Sequence, residues 1–237
     1  MNRVVLESMP ELPYAVEEAI NRLRVNINFS GSNVKKIMVI STMPNEGKSF
    51  VAMHLWRQIA EAGTSTVLVD TDLRKSVLVS DYGIKGEKTT VGTSSYLADT
   101  IPLSDAIYET NYEHGHIIPN FDNVINPSLL LETNRFKDML DQLAEKYRYV
   151  FIDAPPLNLV SDGEKIGSLC DGAILVVRSG KISKEMVKNS ARQLQRAGCP
   201  LLGVILNRVE GSTGGYYYKK YGGSKYYGKN GDSYYYK

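Results

Sequence analysis

Three short stretches of the chain carry side chains whose types and spacing suit phosphate chemistry. The first is STMPNEGKS at 41–49, between the apolar run KIMVI and the amphipathic FVAMHLW, which reads as strand, loop and helix. Backbone N–H groups of such a loop and of the following helix N-terminus point at an anion. Lys48 supplies a cation to β and γ phosphates there, and the Ser49 hydroxyl can ligate Mg2+. Thr42 stands where the G-x-x-x-x-G-K-[ST] pattern has its first glycine. The second stretch, VLVDTDLR, sets Asp70 and Asp72 two residues apart at a strand end, followed by Arg74. In extended backbone such a pair faces one side, so both carboxylates can converge on one metal or one water. The third, YVFIDAPP, ends an apolar strand on Asp153, where P-loop NTPases keep the carboxylate that holds Mg2+. Pro155 and Pro156 exclude helix directly after it.

These groups need a scaffold that brings strand ends to one edge, and the rest of the pattern supplies it. Short β-branched runs at 36–40, 66–69, 115–118, 149–152, 173–177 and 201–206 read as strands. Helices are expected at about 14–28, 48–62, 103–109, 128–147, 162–169 and 183–197, the last opening on Ser183 with Glu185 and closing at Gly198 and Pro200. The alternation predicts an α/β, P-loop NTPase-like fold with a mostly parallel sheet and helices on both faces. KIMVI, VLVD, YVFI, AILVV and LLGVIL are near-continuously apolar, as strands covered on both faces are. The stretch 80–100, rich in Gly, Ser and Thr, reads as a loop crossing the top of the sheet. Ligands in such sheets bind at the carboxyl ends of the strands, where all three aspartates fall.

Domain organisation is read as an N-terminal helical segment at 1–33, a P-loop domain at 34–210 and a disordered tyrosine-rich tail at 211–237. From Tyr216 to Lys237 there are nine tyrosines, set among glycine and lysine with no aliphatic side chain, so nothing offsets the entropy of ordering. Those 22 residues also hold five lysines against one aspartate, which leaves the remainder net negative although the whole chain is +2. The body is therefore not a nucleic-acid binder by charge. Cys170 and Cys199 lack metal-site spacing and suit a reducing compartment. No apolar run approaches the ~20 residues of a membrane span, so a cytoplasmic location is expected, with membrane recruitment through a partner.

The phosphate loop S-x-x-P-x-E-G-K-S, the pair in VLVDTDLR, the FIDAPP strand end and the tyrosine-rich C-terminus together resemble the bacterial tyrosine kinases of capsule and exopolysaccharide synthesis, over 18–237. The chain is similar to the separate cytoplasmic kinase subunit of that family. The resemblance implies an ATP- and Mg2+-dependent protein tyrosine kinase, switched on by the cytoplasmic tail of a transmembrane activator and opposed by a protein tyrosine phosphatase. It implies ATP binding by Ser41, Thr42, Pro44, Asn45, Glu46, Gly47, Lys48, Ser49, Phe50 and Asn207, the last at the adenine. Lys48, Asp70 and Asp72 become catalytic, with Asp70 receiving the tyrosine proton, and Ser49, Asp72 and Asp153 hold the metal. Autophosphorylation is assigned to Tyr216, Tyr217, Tyr218, Tyr221, Tyr226, Tyr227, Tyr234, Tyr235 and Tyr236. Asn45 replaces the family's usual glycine, a residue tolerable there if φ is positive. The family pattern E-x-x-R-x-x-R, linked to ring assembly, survives as Glu18 and Arg24, with Asn21 between them.

Two other functions compete with this reading. A switch ATPase of the partitioning and cell-division type would carry an extra lysine early in the phosphate loop, and STMPNEGKS has none. A non-catalytic scaffold with stacking tyrosines would have no use for Lys48, Ser49, Asp70, Asp72 and Asp153 as a set.

Overall fold

The computed structural model describes residues 2–86 and 90–209. Residues through Asn207 form one compact unit, and Arg208–Lys237 a second, of which only 208 and 209 are described. The nine tail tyrosines lie outside the described residues.

In chain order the elements are β1 (Asn2–Leu6), α1 (Tyr14–Asn28), β2 (Lys36–Ser41), α2 (Lys48–Glu61), β3 (Thr66–Asp70), α3 (Leu78–Asp81) and β4 (Ile84–Gly86). They continue with α4 (Thr93–Leu97), α5 (Leu103–Ala106), β5 (Tyr108–Glu109), β6 (Gly115–Ile118), α6 (Pro127–Leu131) and α7 (Asn134–Lys146). The last are β7 (Tyr149–Asp153), α8 (Asp162–Gly167), β8 (Gly172–Arg178), α9 (Lys184–Arg196) and β9 (Leu201–Asn207). The sheet runs β4-β1-β5-β6-β3-β7-β2-β8-β9. From β6 to β9 along the sheet every pairing is parallel, and among the described residues antiparallel pairs occur only at β1–β4 and β5–β6. This is the expected α/β fold.

Two apolar clusters cover the sheet. Helices α1, α2 and α3 supply one, through Ile20, Ile27, Trp56, Ile59 and Leu78 against Ile37, Val39, Leu68 and Phe151. Helices α6 to α9 supply the other, through Leu131, Phe136, Leu140, Ile166 and Leu194 against Met38, Ile40, Val69 and Ile152. β2, β3 and β7 are buried along nearly their whole length, which is why they read as unbroken apolar runs.

Four sequence expectations need correction. LLGVIL is covered on one side only: β9 is the last strand, and Leu201, Val204 and Leu206 are exposed. The helix expected over 128–147 is two, α6 and α7, because Thr133 is extended and its hydroxyl donates to the Leu130 carbonyl at 2.7 Å, drawing the chain out of helix. The helix expected over 103–109 stops at Ala106, since Tyr108 and Glu109 pair with Ile117 and His116 of β6. The stretch 80–100, expected as a loop, contains β4 and α4. On α7, Arg135 is half-buried over the Tyr96 ring and donates to the Tyr96 and Ile101 carbonyls.

Candidate active site

The phosphate loop joins β2 to α2 in the middle of the sheet. Asn45 and Gly47 both adopt positive φ, 62° and 95°. Asparagine tolerates that region better than other side chains, so its replacement of glycine costs little. Glu46 is buried and braces the loop: its carboxylate accepts from Met43 N at 2.7 Å and from Arg178 N, at the end of β8, at 2.9 Å. Thr42 accepts a 3.1 Å hydrogen bond from Ser190 of α9. Asn207 donates through Nδ2 to the Glu46 carbonyl at 2.9 Å, beside Gly47, where any Cβ would strike it. The loop is thereby tied to β8, α9 and β9 before any ligand arrives.

The three aspartates meet at Lys48. β3 and β7 are neighbours in register, with Asp70 opposite Asp153, so the sheet itself sets these two carboxylates side by side. Thr71 locks the strand ends together, donating both its N–H and its hydroxyl to the Asp153 carbonyl, at 3.0 and 2.8 Å. Lys48 Nζ reaches Asp72 Oδ2 at 3.1 Å, Asp153 Oδ1 at 3.3 Å and Ser49 Oγ at 3.2 Å. Asp70 has no exposed surface and accepts from Asp72 N at 3.1 Å and from the Ser76 hydroxyl.

One ammonium therefore faces three buried carboxylates, and the titration of the groups reflects that imbalance. Burial works against the charge on Lys48, but Asp153, Asp72 and Asp70 outweigh it and hold the ammonium above its usual range. Burial, and then the charge of Asp153, push Asp70 up to about 8, against the pull of the Ser76 hydrogen bond and Lys48. Burial also raises Asp153, opposed by Lys48 and Ser49. Excess negative charge lined by a hydroxyl and carboxylate oxygens fits a hard divalent cation. Among the described residues no group of three or more His, Cys, Asp or Glu makes a metal cage. Mg2+ needs none, since it is held by one or two carboxylates together with substrate phosphates and water.

Around this centre stands a clamp that sequence reading missed. Arg74 donates through Nε to Asp162 at 2.9 Å and through Nη2 to Ser128 Oγ at 2.9 Å, and Ser128 donates to Asp162 at 2.6 Å. It joins the segment after Asp72 to the starts of α8 and α6. Of the other expected site residues, Ser41 and Thr42 are buried at the loop's start, Pro44 is exposed and Phe50 half-buried on α2. Glu18 and Arg24 lie half-buried on α1, far from the phosphate loop in sequence, and the Arg24 guanidinium is held by Asn21 Oδ1 at 2.8 and 3.1 Å.

A helix-flanked parallel sheet with a lysine-bearing phosphate loop and carboxylates on adjoining strand ends defines a P-loop nucleotide-binding domain. Residues 37–221 match the family described as the CobQ/CobB/MinD/ParA nucleotide binding domain. Within that class the resemblances narrow. The tyrosine-protein kinase CpsD of Streptococcus agalactiae is 36% identical over 200 residues, covering 84% of this chain and 86% of that protein. The tyrosine-protein kinase YwqD of Bacillus subtilis is 31% identical over 209 residues, covering 87% and 86%. Among solved structures, the kinase domain of the Escherichia coli tyrosine kinase ETK superposes with a TM-score of 0.77 at 28% identity, covering 85% of this chain and 80% of that one. The chain belongs to the bacterial tyrosine-protein kinase family.

Proposed function

We propose that this chain is an ATP-dependent tyrosine kinase that phosphorylates its own C-terminal tyrosine cluster, between neighbouring copies, and so regulates capsular or exopolysaccharide synthesis and export. The convergence of Lys48 with Asp70, Asp72 and Asp153 on one strand edge carries this reading.

In this mechanism the α2 N-terminus and the loop N–H groups bind the phosphates, and Lys48 leaves its carboxylate partners to neutralise the β and γ oxygens. Mg2+, held by Ser49, Asp153 and Asp72, would supply charge neutralisation along the phosphates and fix their orientation. Asp70 takes the phenol proton. An ordinary aspartate near ~3.9 is a poor acceptor for a phenol near ~10. The upward shift of Asp70 to about 8 narrows that gap and supports the assignment. Asn207, anchored on the Glu46 carbonyl, borders the adenine site. The acceptors are Tyr216, Tyr217, Tyr218, Tyr221, Tyr226, Tyr227, Tyr234, Tyr235 and Tyr236.

The proposed partners are a transmembrane activator that brings the kinase to the inner face of the plasma membrane, further copies of the chain contacting through α1 near Glu18 and Arg24, and an opposing tyrosine phosphatase. Among the described residues no helix is long and apolar enough to cross a membrane. Each phosphate adds about −1.5 to −2 charges, so a few of them reverse the sign of the tail and weaken its attraction to the acidic site.

The test is incubation of the protein with Mg-ATP and the activator's cytoplasmic segment, followed by mass spectrometry. Phosphate between Tyr216 and Tyr236 that vanishes in Lys48→Met is the expected result. ATP hydrolysis with a phosphate-free tail would instead assign a switch ATPase.

A further inference from the structure

Helix α9 presents a face that the phosphoryl-transfer chemistry does not use. Its inward side is Ser190 and Leu194, both buried. On the outward side Lys184, Lys188, Arg192 and Arg196 follow one another at four-residue intervals and are all exposed. Glu185 is the only acid of the helix. Among the described residues none of the four cations is in an ion pair, and Arg192 bonds only to Asn189 of the same helix, at 3.2 Å. The row extends for about 18 Å at 1.5 Å per residue.

Apolar surface lies directly beside this row. A cleft of about 510 Å³ separates the end of α9 from β9, with Ala191, Arg192 and Gln195 on one wall and Leu201 on the other. Beyond it the last strand of the sheet exposes Leu201, Val204 and Leu206, at 38, 50 and 57%. Such a combination is uncommon on a surface whose only neighbour is water, because branched aliphatics and unpaired cations have no shared use there.

We infer that the α9–β9 face docks on an anionic lipid bilayer. Charge complementarity selects the occupant. Lipid phosphates meet cations one helical turn apart along the row, while the Lys and Arg stems and the β9 aliphatics enter the boundary with the acyl chains. Nucleic acid would satisfy the cations but leave Val204 and Leu206 in water. None of these side chains belongs to the cluster of Lys48 and the aspartates, so the inference stands or falls independently of the phosphoryl acceptor.

The test is sedimentation of the full chain with vesicles of phosphatidylcholine alone or mixed with phosphatidylglycerol. Binding to the mixed vesicles is expected, and Lys188→Gln with Arg192→Gln weakens it about 30-fold, at about 1 kcal/mol per cation. A fluorophore on Leu206→Cys shifts to the blue on binding, an effect that attraction through the tail lysines would not produce. Unchanged nucleotide binding in each variant certifies the fold. The inference is overturned if the wild type does not sediment, if the double variant sediments equally, or if the probe at 206 stays in water. It is also overturned if soluble polyglutamate perturbs the probe as strongly as vesicles do, since the face then serves an acidic protein.

Discussion

Asp70→Asn is expected to stabilise the metal-free protein while abolishing tyrosine phosphorylation. The side chain is wholly buried and its carboxyl titrates at about 8 in the fold. Unfolded it titrates near ~3.9, so at neutral pH folding must neutralise or bury its charge, a term on the order of 4 kcal/mol against the native state. Asparagine has no such charge. It forfeits a charged acceptor for Ser76 Oγ and Asp72 N, a loss of about 1–2 kcal/mol. The net gain is about 2–3 kcal/mol, or roughly 5–10 °C in Tm for a domain of this size. The folded value is the raised one, so the carboxyl weakens the fold least below about pH 4 and progressively more up to about pH 8. Thermal melts in chelator at about pH 5, 7 and 8.5 should show the advantage of the variant widening in that order. Mg-ATP should narrow it, because binding stabilises the wild type and the Mg2+ ion supplies the missing positive charge beside the carboxylates. A variant that melts at or below the wild type in chelator at the highest pH refutes the charge imbalance on which the argument rests.

Gly47→Ala places a Cβ against Asn207 at a φ of 95°. The backbone term alone is about 1–2 kcal/mol, and calorimetry should find nucleotide affinity at least tenfold lower; affinity within twofold of wild type would sink the idea. His54 is buried between Phe50 and Tyr82, and among the described residues neither ring nitrogen has a hydrogen-bond partner. Burial lowers its pKa to about 4, so the unfolded chain takes up a proton between about pH 6.5 and 4 that the fold refuses, and stability drops as pH falls through that window. Urea melts should show about 2 kcal/mol lost to this group by pH 5, a loss absent in His54→Leu; an identical pH dependence in the two proteins would show that His54 is not its source.

How much of this was legible in the sequence depended on range. α1 was readable end to end because its apolar spacing is local, and the central strands because burial on both faces leaves an unbroken apolar run. β1, β4 and β5 escaped notice, being five, three and two residues long and made by pairing with distant segments. Apolar content alone could not distinguish β9 from β8, since an edge position is decided by the neighbour a strand lacks. At the site, Lys48, Ser49, Asp70, Asp72 and Asp153 announced themselves through short motifs and strand ends. What the motif did not disclose is the role of the Glu46 carboxylate, which is turned inward on Met43 and Arg178 and braces the loop. The clamp of Arg74 on Asp162 spans 88 residues and leaves no local pattern; the acid shortly after a FIDAPP-like strand end was the only available hint.

The register that pairs Asp70 with Asp153 has a bearing on how the protein matures. A slip of one residue between β3 and β7 would turn one carboxylate to the opposite face of the sheet and dismantle the nucleotide site, while leaving the apolar content of both strands almost unchanged. Collapse and correct assembly are thus distinguishable by a ligand. In a refolding mixture the fraction of molecules that titrate with nucleotide counts those whose two central strands found their proper partners, something neither helix content nor compactness reveals.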